Sequence, residues 1–364
     1  MRNILKRPIL VFPSGTPCAL EYLERAAGNE MEVIGASSLE QDPSRKCYRS
    51  WVYLPHIADS GFSDALKKIV TDFDIGGIYA AHRVVWDFLN RKLEEIVSGV
   101  SLINDSPLDA ELYQYRIALR DAQQIIEKPD EFADSSVEAK PAMTRIEMAS
   151  LLRHSELIPG MCEREKIYAL YELSRRASSG DVVEIGSWWG KSAFVLLFLA
   201  GHYKIGKMLC VDPWSNEHLI QGDEKGLLDN IRVSAEEALT VFKMNLLPYA
   251  NGRLNYLRMA SVKACDHYQD CRVVQTDIFG KTAYSGEIAI LHIDGNHSYS
   301  NVLADVAAWS PLVIPGGWII IDDYCWPYGD GPRKAGDEFL KANEHKNIIS
   351  FVAGGALFVQ VPCR

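Results

Sequence analysis

The stretch from Ile288 to Tyr324 limits most strongly what this chain can fold into. It reads as a buried run, IAILHID, ending in Asp294, then one amphipathic helical pattern. A second buried run, GGWIIIDDY, follows and ends in Asp322 and Asp323. Two short apolar runs joined by a single helix make a βαβ unit, whose strands lie parallel and adjacent. The turn Pro315-Gly316-Gly317 is expected to open the second strand. Neighbouring strands are about 4.8 Å apart, so the three carboxylates at their carboxyl ends can converge. Close carboxylates repel unless a proton or a cation compensates them. Hard oxygen donors of this kind suit Mg²⁺ or a similar ion. The plainer alternative is that each aspartate caps the helix or turn that follows it. Three acids at corresponding strand ends, with His297 three residues beyond Asp294, favour a site in the crevice where open α/β sheets bind ligands.

With 364 residues the chain exceeds one usual domain, and a hydrophobic content of 48% supplies two cores. The net charge of −10 argues against a nucleic-acid backbone or an anionic membrane as partner. No apolar stretch reaches the roughly 18 residues that span a bilayer. The opening MRNILKRPILVFPSG has too short an apolar run for a signal peptide. Eight cysteines without a CxxC pair or metal-ligand spacing fit reduced thiols, so a cytoplasmic location is expected.

Residues 8–104 alternate apolar runs with helical patterns. The runs are PILVF (8–12), MEVIG (31–35), WVYLP (51–55), IGGIYAA (75–81) and VSLIN (100–104), with helices near 16–27, 62–72 and 84–97. This alternation predicts a doubly wound parallel sheet in a first domain, residues 1–110. The turn Pro13-Ser14-Gly15-Thr16-Pro17 has one glycine where a dinucleotide fingerprint needs three, so NAD is not expected there. Residues 111–160 read as a helical, polar linker broken at Pro129, Pro141 and Pro159-Gly160. DEFADSSVEAKP (130–141) is its least core-like part.

A second α/β domain is expected over residues 161–364. DVVEIGSWWGKSAFVLLFLA (181–200) is strand, glycine turn, helix. Gly186 and Gly190 bracket Ser187, and Lys191-Ser192 begin a helix whose free N–H groups can face a ligand. The letters GKS invite a phosphate-loop reading. That motif needs four residues between its glycines, and only Ser187, Trp188 and Trp189 lie there. KMLCVDPWS (207–215) ends another strand in Asp212, at the usual position of a ribose-binding acid. Glu184, Gly186 and Asp212 together predict a nucleoside ligand, and the short turn suits S-adenosylmethionine better than NAD. Trp214 and Ser261 are candidates to flank adenine; Trp326, Tyr328 and Arg333 are candidates to line an acceptor pocket. The acid-rich insertion 214–245 is expected to close over the ligand, and His292 to be structural.

VVEIGSWWGKS, LCVDPW, FKMNL, HIDGNHSY, DVAAWSPLVIPGGWIIIDDY and KAGDEFL, in that order, resemble class I S-adenosylmethionine-dependent methyltransferases. The likeness covers about 155–362 and is strongest to the metal-dependent macrolide and aminocoumarin sugar O-methyltransferases, with cephalosporin-hydroxylase-like proteins nearby. The lead-in ELIPGMCEREKIYALYEL also resembles that group. The resemblance implies a Rossmann-like seven-stranded sheet with a reversed final hairpin, NIISFVAG (347–354) against ALFVQVP (356–362). It implies Mg²⁺ on Asp294, Asp322 and Asp323, with His297 as general base, since Asn296 stands where another branch has an acid. Cofactor contacts would come from Glu184, Gly186, Ser187, Gly190, Lys191, Ser192, Asp212, Trp214, Ser261 and Asp294. The acceptor would be a glycosylated or polyhydroxylated small molecule, and the group's habit of assembling leaves a homo-oligomer open. Residues 1–110, with LVFPSGTPCALEYLERA followed by MEVIGASS, resemble the small domain that precedes the nucleotide-binding part of ATP-grasp enzymes. No ATP-grasp core follows, so ATP use is not implied. Two rivals stand beside the O-methyltransferase: a hydroxylase or oxidoreductase of the same fold, and a non-catalytic scaffold.

Overall fold

The computed structural model describes residues 7–29, 31–129, 138–219, 233–346 and 348–362. Residues 130–137 of the expected linker and 220–232 of the expected insertion lie outside the described residues. The chain divides into two compact units, Met1–Ile117 and Ala118–Arg364.

In the first unit five strands form a parallel sheet in the order β3-β2-β1-β4-β5. They are β1 (Ile9–Phe12), β2 (Val33–Ser37), β3 (Ser50–Tyr53), β4 (Gly77–Ala80) and β5 (Ser101–Leu102). Side chains alternate across β1. Leu10 and Phe12 pack with Phe62, Leu66 and Leu89 from α2 (Phe62–Asp72) and α3 (Arg83–Ile96). Val11 packs on the other face with Ala19 of α1 (Pro17–Ala27). α1 starts where Thr16 accepts a hydrogen bond from the Ala19 N–H at 3.2 Å and Pro17 presets the first turn. At the carboxyl end of β1, Ser14 is fully buried. Its Oγ lies 3.0 Å from Ser44 Oγ and accepts from Trp51 Nε1, while its carbonyl accepts from the Tyr48 hydroxyl at 3.0 Å.

The second unit holds a seven-stranded sheet in the order β13-β14-β12-β11-β6-β7-β8. Its strands are β6 (Asp181–Ile185), β7 (Met208–Val211), β8 (Leu254–Leu257), β11 (Ile288–Ile293), β12 (Val313–Ile321), β13 (Ile349–Ala353) and β14 (Ala356–Gln360). A small hairpin, β9 (Val273–Thr276) with β10 (Gly280–Ala283), stands apart. Only β14 runs against its neighbours in the large sheet, so this is the mixed, Rossmann-like arrangement expected. Every residue of β6 and β11 is buried, because helices cover both faces. One face carries α5 (Arg145–Leu157), α6 (Arg164–Arg176), α7 (Lys191–His202) and α8 (Ala235–Leu246); α9 (Ser261–Cys271) and α10 (Tyr299–Trp309) pack on the other. α11 (Gly331–Ala342) completes the unit.

Two details depart from the expected organisation. The segment read as a linker is partly core: Ala118, Ala122 and Ile125 of α4 (Pro107–Glu127) and Met148, Leu151 and Leu152 of α5 all join the second unit's main cluster. The Pro315-Gly316-Gly317 turn does not open β12 but lies inside it. Ile288 pairs with Val313 and Ile290 with Trp318, so the intervening residues bulge out, with Gly316 at φ 78°. Among the described residues no helix is long and apolar enough to cross a membrane.

Leu291 sits at 0% exposure in the middle of β11. Leu291→Ala should destabilise the second unit by about 2–5 kcal/mol, read as a lower midpoint in urea unfolding followed by tryptophan fluorescence.

Candidate active site

The strand ends build the site by register. His292 of β11 lies opposite Glu184 of β6 and Ile320 of β12. Past the strand ends, Asp294 N–H donates to Ile185 O at 2.7 Å, and Asp322 N–H donates to Ile293 O at 2.8 Å. Residues two apart share a face, so Glu184, His292, Asp294 and Asp322 project on one side of the sheet. Asp323 would point away, but its backbone takes a left-handed φ of 53°, and its side chain reaches His297.

These side chains form a connected line. Ser187 Oγ donates to Glu184 Oε2 at 2.6 Å, and Glu184 Oε1 lies 3.1 Å from His292 Nδ1. His292 Nε2, buried and without a hydrogen-bond partner of normal length, faces Asp322 Oδ2 at 3.5 Å. The same oxygen is ion-paired and hydrogen-bonded to Lys166 Nζ, which α6 delivers with only 2% exposure. Asp322 Oδ1 accepts the Asp323 N–H at 3.0 Å. On the outer side His297 Nε2 lies 2.9 Å from Asp323 Oδ2 and 3.9 Å from Asp294 Oδ1. The His297 ring is 4.5 Å from that of Trp326, and Trp326 is 5.6 Å from Tyr328.

Electrostatics follow from this crowding. Burial alone would raise the Asp322 carboxyl, but Lys166 and His292 hold it well below the usual range. Burial and the Asp322 charge push Asp294 up to about 7. Burial disfavours a charged His292, yet Asp322 and Glu184 overcome it and raise the imidazole to about 10. His297 is raised to about 9 against its burial by Asp294 and Asp323. Ligand atoms of Asp294, His297 and Asp323 all lie within 4.8 Å of one another, as do those of His292, Asp294 and Asp322.

Of the expected cofactor residues, Gly186, Ser187 and Gly190 form a tight turn beside this cluster. Gly186 has φ 83°, and a Cβ there would lie 2.0 Å from Asp294 O, so the β6 and β11 turns touch through backbone. Gly190, at φ 90°, opens α7 under Phe242, with Lys191 part-exposed and Ser192 buried behind it. Asp212 accepts from Trp214 N at 2.7 Å and Trp188 N at 3.0 Å, which partly offsets the rise that burial imposes on its carboxyl. Trp214 is 1% exposed, its ring 4.8 Å from Phe242 and 5.5 Å from Tyr256. Ser261, three strands away from β11, accepts from Trp309 Nε1 at 2.9 Å. Arg333 donates to Tyr324 O at 3.3 Å rather than joining the acid cluster. Sequence reasoning missed Lys166 and set His292 aside. The alternation of β11 already places His292 on Asp294's face, whereas no motif marks Lys166.

The family described as a methyltransferase domain matches residues 183–324, from β6 to just past Asp323. No curated protein matches the chain. Among solved structures, the O-methyltransferase NovP is 18% identical, with 70% of this chain and 100% of that one covered and a TM-score of 0.38. The calicheamicin methyltransferase CalS11 is 14% identical, covering 71% and 94%, with a TM-score of 0.40. The mycinamycin-pathway methyltransferase MycE, in complex with Mg and SAH, is 16% identical, covering 62% and 55%, with a TM-score of 0.36.

Gly186→Ala would combine left-handed strain of about 1–3 kcal/mol with a collision against the Asp294 carbonyl. It should lower the melting temperature and weaken S-adenosylhomocysteine binding, both measurable by scanning and titration calorimetry. Strand, glycine turn and acid-tipped strands all fall inside residues 183–324, the segment that matches the methyltransferase domain family.

Proposed function

We propose that this protein transfers a methyl group from S-adenosylmethionine to a hydroxyl of a sugar or other polyhydroxylated small molecule. The observation that carries this reading is the cluster of Asp294, His297 and Asp323, partly exposed and touching the Gly186 turn through the Asp294 backbone. In the reaction the acceptor oxygen attacks the sulfonium methyl carbon, the carbon–sulfur bond breaks, and S-adenosylhomocysteine leaves as a neutral thioether. The hydroxyl proton must go to the protein. His297, raised to about 9 by Asp294 and Asp323, receives it at Nε2 in the fraction of the protein whose imidazole is neutral. Trp326 and Tyr328 give the acceptor an aromatic wall beside that imidazole.

The outer cluster also fits a hard divalent ion. Asp294 and Asp323 are 23% and 26% exposed and offer oxygen donors with an imidazole between them. Mg²⁺ held there would supply Lewis acidity that makes the acceptor hydroxyl easier to deprotonate. The chain's own groups do the remaining work. The Gly186 turn and Asp212 hold the nucleoside, the glycine allowing close approach and the acid offering ribose acceptors. Glu184 accepts from Ser187 and thereby fixes the turn from behind rather than meeting the ligand.

Asp323→Asn should lower kcat at least 100-fold in a methyl-transfer assay with a polyhydroxylated acceptor. S-adenosylhomocysteine affinity, measured by calorimetry, should stay within threefold. Full turnover by this variant, or turnover untouched by EDTA, would remove the metal-assisted account. Binding of NAD in place of S-adenosylhomocysteine would overturn methyl transfer itself.

A further inference from the structure

We propose that Lys166 is a tethered cation that withholds Asp322 from the metal's ligand set, so that a divalent ion is held by Asp294 and Asp323 beside His297. The inference rests on the metal reading above and departs from the pattern in which all three aspartates share the ion. Both oxygens of Asp322 are engaged within the chain. Oδ2 takes the Lys166 ammonium and faces His292 Nε2 at 3.5 Å, while Oδ1 takes the Asp323 N–H at 3.0 Å. Lys166 and Asp322 are 2% and 6% exposed, so water screens their attraction little. Asp294, Asp323 and His297 all retain exposed surface, at 23%, 26% and 12%.

The tether is short of room to swing aside. α6 is buried from Lys166 through Ser174, and a Cβ at Gly354 in the β13–β14 turn would stand 2.7 Å from Lys166 Cβ. An ammonium and a divalent ion on one carboxylate oxygen repel each other, and the side chain already seated has no rotational freedom left to lose. Lys166 also lies outside residues 183–324, the segment that the methyltransferase family matches.

The test is a Mn²⁺ titration of the full chain, followed by the electron paramagnetic resonance signal of the free ion, with melting curves for each variant. Lys166→Met frees Asp322 and should tighten Mn²⁺ binding at least tenfold. The double variant Lys166→Met/Asp322→Asn should return to within threefold of wild type, and Asp323→Asn should lose at least tenfold. If Lys166→Met loses its melting transition, Asp322→Asn alone decides: affinity within threefold of wild type supports the proposal, and a tenfold loss makes Asp322 a ligand and overturns it. Unchanged or weaker binding in a folded Lys166→Met overturns the role of Lys166 while leaving the metal reading in place. Absence of Mn²⁺ binding in wild type and Lys166→Met alike, with S-adenosylhomocysteine still bound, brings down both.

Discussion

Glu184, Asp294, Asp322 and Asp323 crowd the carboxyl edge of three neighbouring strands, and their mutual repulsion has to be answered inside the protein. The answer is layered. Deep in the cluster, Lys166 and His292 neutralise Asp322, and His292 also takes up Glu184. Nearer the surface, His297 stands between Asp294 and Asp323. Breaking a buried pair by removing one partner typically costs about 3–5 kcal/mol, so the inner layer is bound up with the integrity of the sheet. The outer layer is not saturated in that way, and it is there that chemistry has freedom.

The same division runs through the Asp212 side of the crevice. Asp212 holds the amides of Trp188 and Trp214, and Trp214 Nε1 donates to Trp188 O at 3.1 Å. Both tryptophans have left-handed backbones, φ 45° and 36°, which residues of this size seldom adopt. One acid therefore stabilises two strained turns at once. A ribose meeting Asp212 would exchange hydrogen bonds with those amides instead of filling an unused acceptor.

Much of this was legible in the sequence because it is local. The alternating strands and helices, the glycines at 186 and 190, and the acids at 212, 294, 322 and 323 follow from patterns within single segments. What escaped depends on long-range pairing. Lys166 and Asp322 are 156 residues apart, and nothing in EREKIYALYEL singles out the lysine that turns inward. His292 looked structural when judged alone; only its register against Glu184 and Ile320 gives it two acidic neighbours. Pro315-Gly316-Gly317 has a turn's composition, yet pairing with β11 on both sides keeps the strand continuous through a bulge. The segment read as a linker looked polar because most of its described charges, Asp121 excepted, lie outward, while α5 alone buries Met148, Leu151 and Leu152.

Gly354 gives the last hairpin an influence its position does not suggest. Its left-handed turn, φ 51°, brings the hairpin tip against the backbone and Cβ of Lys166. A bulkier residue at that tip would wedge the start of α6 outward and draw the ammonium off its carboxylate. A steric fault at the far end of the chain would thus surface as an unanswered charge in the crevice, with no residue of the crevice itself altered.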